Sequence, residues 1–157
     1  MSDELSWDLG SITTFNAGNV LETTVTVVAP ESGTYYLVGA LYDTSLNYIS
    51  NSLFGVLQSE VGGTAVNSPT HVSLFDLSED EELSLDCMFT LNRTSCILAL
   101  FLYKLGDSEP DLSVDEQIAS VSTSLQGETA FDWSTFMNGV MALVMMGVVV
   151  GIIWKEV

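Results

Sequence analysis

The sequence predicts an all-β protein, a sandwich or jelly-roll-like β-barrel of about seven to eight strands, followed by a stalk and a C-terminal transmembrane helix. Runs rich in β-branched and aromatic residues recur at about ten-residue spacing before residue 105. A polar, Ser-rich stretch follows, and the segment from Phe136 to Trp154 contains no charged residue. We therefore expect a β domain at 1–105, an acidic stalk at 106–132, and a membrane helix with a short tail at 133–157.

The predicted strands are separated by short turn signals, and no useful helical period interrupts them. They are VLETTVTVVA (20–29), TYYLVGALYD (34–43), LNYIS (46–50), LFGVLQSEV (53–61), HVSLFDL (71–77), LSLDCMFTL (83–91) and SCILALFLYK (95–104). The stretch GGTAVNSP (62–69) is predicted to be a loop. In ESGTYYL (31–37), a tyrosine follows a glycine turn, which resembles a corner of immunoglobulin-type strands and supports the fold class alone.

The last two predicted strands carry the two cysteines, Cys87 and Cys96. We expect these strands to form a hairpin around Asn92-Arg93-Thr94, because a two-residue turn would then place the cysteines opposite each other. In that position they form a disulfide or remain small buried apolar residues, and the spacing leaves both alternatives open. The same tripeptide is a glycosylation sequon, which acts only if the domain faces the outside of a cell.

The C-terminal segment has the length and composition of a membrane span. Its 19 residues, as a helix, cover about 28 Å, close to the thickness of a hydrocarbon core of about 30 Å. Trp133 and Trp154 bracket the segment, as interfacial aromatic residues do, and with Phe136 they are the predicted anchor residues. Gly147 and Gly151 form a GxxxG pattern, which predicts helix pairing and a homodimer. The alternative is that these glycines reflect only the general frequency of glycine in membrane helices.

The chain is strongly acidic, with 21 Asp and Glu residues against 3 Lys and Arg residues and a formal net charge of −18. Such a charge excludes nucleic acid as a partner, because phosphate binding requires clustered basic side chains. It also destabilises a compact fold at low salt. In molar salt the screening length falls to roughly 3 Å, so the repulsion largely disappears. We therefore expect a protein from a halophilic source.

Catalytic and metal-binding patterns are missing from the sequence. The single histidine, His71, excludes a blue-copper centre and zinc sites that need several histidines. No phosphate-binding loop, G-x-S-x-G or H-E-x-x-H pattern occurs. The acidic run SEDEE (78–82) lacks the glycine and alternating spacing of a calcium loop and is predicted to be a solvated turn. We expect a protein that is not an enzyme and that holds no cofactor and no metal.

A β domain, an acidic surface, a stalk and a C-terminal anchor together resemble the membrane-anchored minor capsid (cement) proteins of tailless icosahedral haloarchaeal viruses with an internal membrane. The resemblance implies a structural virion protein that links capsid shell proteins to the underlying lipid membrane. The implied partners are the lipid membrane, the capsid shell proteins and a second copy of the chain, and the implied location is the internal membrane and capsid layer.

The alternative is an archaeal cell-surface or envelope protein, anchored in the cell membrane, whose β domain binds a partner outside. The first residues, MSDELSWDLG, carry acids where a secretory signal needs basic residues. We therefore expect the mature chain to start at Met1, or directly after it if Met1 is removed. We also expect the domain to originate in the cytoplasm, which favours the virion interpretation. A glycan on Asn92 would favour the cell-surface interpretation.

Overall fold

The computed structural model describes residues 3–58, 64–69 and 72–127, which form an all-β fold of ten strands without a helix. The strands are β1 (Leu5–Trp7), β2 (Ile12–Thr14), β3 (Val20–Val28), β4 (Gly33–Tyr42), β5 (Phe54–Gln58), β6 (Thr64–Ser68), β7 (Leu74–Leu77), β8 (Glu82–Thr90), β9 (Cys96–Lys104) and β10 (Glu116–Gln126). The all-β prediction is confirmed for these residues, with more strands than the sequence suggested.

The chain divides after Gly127 into two units, Met1–Gly127 and Glu128–Val157. All ten strands belong to the first unit. The predicted transmembrane helix falls in the second unit, outside the described residues.

No helix long and apolar enough to cross a membrane occurs among the described residues.

All ten strands belong to one sheet, in the order β1-β3-β8-β6-β5-β4-β9-β10-β2, and β7 pairs with the free part of the edge of β4. The pairs β6–β8 and β10–β2 are parallel, and the other neighbours are antiparallel. Two halves can be distinguished, one centred on β3 and β8 and the other on β4 and β9. They are joined by a short pairing of Val38 and Gly39 with Gly55 and Phe54.

The sheet curls into a half-barrel whose two halves share one apolar core. Alternate residues of β3 and β8 point inward, and so do alternate residues of β4 and β9. Among the largest completely buried side chains are Val25, Val27, Tyr35, Leu37, Leu85, Phe89, Leu98, Leu100, Leu102 and Leu125. Each such side chain contributes about 1.5–3 kcal/mol by leaving water, so this shared core stabilises the curl.

The hairpin predicted around Asn92 is wrong. β8 pairs with β3 and β6, whereas β9 pairs with β4 and β10, so the link Leu91–Ser95 crosses between the two halves. The N–H of Ser95, which has a φ of 58°, donates to the carbonyl of Leu125 and starts β9 beside β10. The physical reason lies in CILALFLYK, whose two apolar faces suit a central strand with neighbours on both edges.

The flexible stalk predicted from residue 106 is also wrong over the described residues. Glu116–Gln126 is the longest strand, and it pairs along nearly its whole length with β9 and at its end with β2. Its apolar residues alternate with serines, so it covers the core with one face and meets water with the other. A turn at residues 112–114 precedes this strand.

Two shorter segments also differ from their predicted secondary structure. The segment GGTAVNSP contains β6, because it fills the position between β5 and β8. LNYIS is not a strand; it forms a loop that touches β4 through a single bridge between Tyr42 and Tyr48.

Candidate interaction face

On the outer side of the half centred on β4 and β9, four rows of side chains carry no charge. The next row does, because the hydroxyl of Thr34 donates to the carboxylate of Asp76 on β7. We define the uncharged face as the outward side chains of β2, β10, β9, β4 and β7 in four rows across the strands. The rows are Ile12, Ser124, Ile97 and Tyr42; Ser122, Ala99 and Ala40; Ser120, Phe101 and Val38; and Gln117, Tyr103, Tyr36 and Leu74. Only part of this face meets water: Gln117, Ser120 and Ser122 on β10 are exposed, whereas Tyr36, Val38, Ala40 and Ala99 are buried.

The outer face of the other half of the sheet is acidic. On β3 and β8, the outward side chains include Glu22, Asp86 and Glu82, and the hydroxyl of Thr24 donates to Asp86 Oδ1 at 3.1 Å. Nearby, Asp8 Oδ1 accepts hydrogen bonds from Thr23 Oγ1 and from the N–H of Thr24. The Thr23 hydroxyl is the main cause that lowers the pKa of Asp8 from its ordinary value. This half therefore presents carboxylates to water, and the two outer faces differ in chemistry.

Five aromatic rings run across the uncharged face and its border. The ring centroids are 5.9 Å apart for Tyr48 and Tyr42, 6.4 Å for Tyr42 and Phe101, 6.5 Å for Phe101 and Tyr103, and 5.5 Å for Tyr103 and Tyr36. The last pair is stacked, with an interplanar angle of 11°. Such contacts fix the rings relative to one another. Together they form an aromatic ridge along β4 and β9, which is exposed at Tyr48 and completely buried at Tyr36.

Small side chains lie beside the ridge. Ser120, Ser122 and Ser124 project outward from β10, and Ala99 and Ala40 lie in the same rows on β9 and β4. The two alanines are buried, whereas Ser120 and Ser122 are exposed. At the edge of the sheet, Ile12 on β2 is 58% exposed.

A buried carboxylate fixes one end of the ridge. Asp115 accepts hydrogen bonds from the Tyr36 hydroxyl at 2.5 Å and from the N–H groups of Asp111 and Gly106, each at 2.8 Å. Burial alone would raise the carboxyl pKa of Asp115, but the three donors outweigh it, so the pKa is lowered from 3.8. Burial, followed by the hydrogen bond to Asp115, raises the pKa of Tyr36 above its usual value. The loop before β10 is thus pinned onto the sheet beside the ridge.

A second candidate surface lies at the end of the sheet where β8 passes to β9. A cleft of about 350 Å³ opens there between this connection and the loop before β5. Arg93 and Asn92 line it and are exposed. Among the described residues, the one ion pair joins Lys104 to Glu31, which leaves Arg93 without a carboxylate partner there.

The cysteines are two separate thiols. Cys87 lies opposite Thr23 and Ala65, whereas Cys96 lies opposite Leu125, so the arrangement that suggested a disulfide is not formed. Both are buried, and burial raises the pKa of Cys87 to about 12 and that of Cys96 above its ordinary value. They serve as small apolar side chains of the core, the other alternative that the sequence left open.

The other predicted site residues are not brought together by the described part of the chain. Trp133, Phe136, Gly147, Gly151 and Trp154 lie outside the described residues, and so does His71. SEDEE forms a turn in which Asp80 has a φ of 65° and the N–H of Ser78 donates to Glu81 Oε1. Within 3–58, 64–69 and 72–127, no group of three or more His, Cys, Asp or Glu side chains is placed to hold a metal ion.

Sequence reasoning missed the uncharged face. Its clearest signal is the stretch from Ala119 to Leu125, in which apolar or Thr residues alternate with serines at a period of two. A second signal is TYYLVGALY, which is apolar on both faces although only one can point into the core.

No protein-family model matches the chain, and no curated protein matches it. Among solved structures, the chain is similar to a Pseudomonas fluorescens alkylpurine DNA glycosylase, AlkC, bound to DNA containing an abasic site analog, with 10% sequence identity and a TM-score of 0.37. The similarity covers 79% of this chain and 31% of that chain, so this chain spans about a third of the glycosylase's length.

Proposed function

We propose that this protein is a non-catalytic structural protein that holds a protein shell against a lipid membrane. The observation that carries the proposal is the contrast between two parts of the chain. Residues before the C-terminal segment contain 20 of the 21 acidic residues, whereas Phe136 to Trp154 has no charge over 19 residues. Such a segment suits a bilayer core, and the acidic part suits salt-rich water.

The described domain supports a role in protein contact. Its core is filled by side chains from both halves of one sheet, and its two outer faces offer different surfaces. The end with Arg93 offers a cation beside a cleft, suited to a carboxylate of an acidic shell protein. Contacts of this kind are individually weak, but a membrane anchor raises their effective concentration.

The virion of a tailless icosahedral haloarchaeal virus with an internal membrane is the setting that we propose. There the domain would occupy the layer between capsid shell and bilayer, with the C-terminal segment as its anchor. The test compares the full chain with a chain that ends at Gly127, each supplied to a virus that lacks this gene. The shortened chain keeps all ten strands, whereas a cut at Gly106 would remove β10 and the core residue Leu125.

We expect the full chain to restore stable particles and the shortened chain to be produced but to restore none, because the connection to the membrane is cut. Flotation of membranes from the same cells provides the control: the full chain should float with lipid, and the shortened chain should stay in the soluble fraction. Normal yields of stable particles from the shortened chain would contradict the proposed mechanism.

One observation favours the second candidate, a membrane-anchored archaeal cell-surface protein that binds a partner outside. Asn92 is exposed in the connection between β8 and β9, so its sequon is accessible to a glycosyltransferase. Mass spectrometry of the protein from its native source separates the two candidates. A glycan on Asn92 would place the domain outside the cell and favour the second candidate.

A further inference from the structure

We infer that one end of the β domain rests on the head groups of the lipid membrane, and that Arg93 binds a lipid phosphate there. We define the exit end as the loops 15–19, 43–53 and 91–95 together with Gly127, the last residue that the structure describes. The inference rests on the proposed function, because it takes the C-terminal segment as the membrane anchor. It adds which end of the domain meets lipid and which side chains do so.

The three loops of the exit end lie side by side where the described chain stops. The N–H of Gly18 donates to the carbonyl of Leu91 at 2.7 Å, which joins the first loop to the third. The cleft of about 350 Å³ is lined by residues of the second loop and the third. A Cβ on Gly127 would lie 3.2 Å from Oγ1 of Thr94, so the chain leaves the domain beside the third loop. The C-terminal segment therefore continues from this end of the domain.

Chain length limits which end of the domain can reach the membrane. Residues 128–135 connect Gly127 to the uncharged segment that begins at Phe136, and this connection spans at most about 32 Å when fully extended. The strand β10 is itself about 33 Å long, at about 3.3 Å per residue. Placing the opposite end of the domain on the membrane would therefore require residues 128–135 to run fully extended along the whole domain. The exit end meets the membrane without such an extension.

The two ends of the domain differ in charge. The loops at the opposite end, 29–32, 78–81 and 105–115, contain eight Asp and Glu residues. The three loops of the exit end contain one acidic residue, Asp43, and the exposed Arg93. Carboxylates are costly to bring against lipid, because they lose water and because anionic head groups repel them. In a chain with a net charge of −18, the exit end is therefore the end suited to a membrane surface.

Arg93 is the basic residue of the exit end, and it is exposed beside the cleft. Among the described residues, no ion pair includes it. The chain just before it is fixed by Asn67, whose Oδ1 accepts the N–H of Thr90 at 2.7 Å and whose Nδ2 donates to the carbonyl of Thr90 at 3.4 Å. A guanidinium group binds either a carboxylate of a shell protein or a phosphate of a lipid. The position of Arg93 next to the exit of the chain favours the phosphate.

Exposed apolar side chains accompany Arg93 at the exit end. Of the eight large apolar side chains that are well exposed among the described residues, four lie in or next to these loops, namely Val20, Leu46, Tyr48 and Leu53. Leu46 is 71% exposed and has a φ of 69°. Oδ1 of Asp43 fixes this turn by accepting the N–H groups of Ser45 and Asn47, each at 2.9 Å. Apolar side chains gain free energy by entering the interfacial region of a bilayer, where tyrosine is also favoured.

The experiment measures how close each end of the domain lies to lipid in the full chain. The chain is reconstituted into vesicles of phosphatidylcholine and phosphatidylglycerol at about 3 M KCl, where long-range repulsion is screened. A fluorescent maleimide is attached at Leu46→Cys in the exit end or at Glu79→Cys at the opposite end, both exposed positions. A phospholipid that carries a nitroxide on its head group quenches the label. Cys87 and Cys96 are buried, so the unsubstituted chain is the control for unspecific labelling.

We expect the label at Leu46→Cys to be quenched at least about threefold more strongly than the label at Glu79→Cys, because the two ends are about 33 Å apart along the strands. Equal quenching of the two labels, or stronger quenching at Glu79→Cys, would overturn the inference. Adding Arg93→Gln should reduce the quenching at Leu46→Cys by about half or more. Lys104→Gln, which removes a positive charge at the opposite end, is the matched control and should leave this quenching unchanged.

Two further readouts separate the possible causes of a negative result. If Arg93→Gln releases a shell protein but leaves the quenching at Leu46→Cys unchanged, Arg93 binds that protein and its assignment to a lipid phosphate is wrong. Flotation of the same vesicles tests the anchor itself. A full chain that does not float with lipid would contradict the proposed function and the inference together. A chain that floats but shows equal quenching of the two labels would contradict the inference alone.

Discussion

The hydroxyl of Tyr36 donates a 2.5 Å hydrogen bond to Oδ2 of Asp115, a residue 79 positions later in the chain. Tyr36 is completely buried, and Asp115 is 8% exposed. The bond attaches the loop between β9 and β10 to the outer side of β4, next to the stacked ring of Tyr103. It therefore holds the end of the aromatic ridge and the start of β10 in one arrangement.

Replacing Tyr36 by Phe should lower the free energy of unfolding by about 1.5–3 kcal/mol, since a buried hydrogen bond to a charged group is lost. Tyr35→Phe is the matched control, because its hydroxyl donates to the neutral carbonyl of Glu31 at 2.6 Å. The free energy of unfolding of this control should fall by less, about 0.5–1.5 kcal/mol. Denaturant unfolding at constant high KCl measures both, and equal losses would contradict the role given to the Asp115 carboxylate.

Asp115 should make stability depend on acid pH. Its pKa in the folded chain is below 3.8, so its contribution is complete above the unfolded value and is lost as pH falls through the folded pKa. Asp115→Asn should therefore be less stable than the parent at neutral pH, and the difference should shrink below about pH 4. Unfolding between about pH 3 and 7 measures this. Asp107→Asn, at an exposed position of the same loop, is the control, and its stability should follow that of the parent at each pH. A stability difference between Asp115→Asn and the parent that stays constant with pH would contradict the prediction.

The domain should require salt to remain folded. Its net charge is strongly negative, and among the described residues a single ion pair, Lys104 with Glu31, offsets it. We expect the melting temperature to rise between about 0.1 M and 3 M KCl, since the screening length shrinks several-fold. The double variant Glu22→Gln/Asp86→Asn should raise the melting temperature more at low salt than at high salt, because it removes two carboxylates that lie on one face and repel each other. An unchanged melting temperature across this range in the parent would exclude a halophilic adaptation.

Gly39 should not tolerate alanine. Gly39 lies on β4, where β5 joins it, and a Cβ at this position would overlap the ring of Phe54. That ring is buried and packs edge-on against Phe89, with centroids 6.0 Å apart, so it has little room to move. Gly39→Ala should cost about 1–3 kcal/mol of stability. Gly10→Ala, whose Cβ would make only ordinary contacts, is the control and should stay within about 0.5 kcal/mol.

The sequence determined the fold class and most strands of the described domain, because β-branched and aromatic runs between turn residues bury one face only as strands. Val20–Val28, Gly33–Tyr42 and Cys96–Lys104 match the predicted runs within one or two residues. The sequence also determined the charge contrast on which the proposed function rests, since composition needs no structure.

Tertiary structure decided which strands are neighbours. The run from Cys96 could pair locally with the strand before it. Pairing with β4 and β10 instead fills both of its edges and places its inward leucines in the core, and this long-range gain outweighs the shorter loop of a hairpin. Glu116–Gln126 forms a strand for the same reason. Its serines are typical of a linker, but its inward residues are buried against the core. The uncharged face exists only through these pairings, because its rows combine side chains from five strands that are distant in sequence.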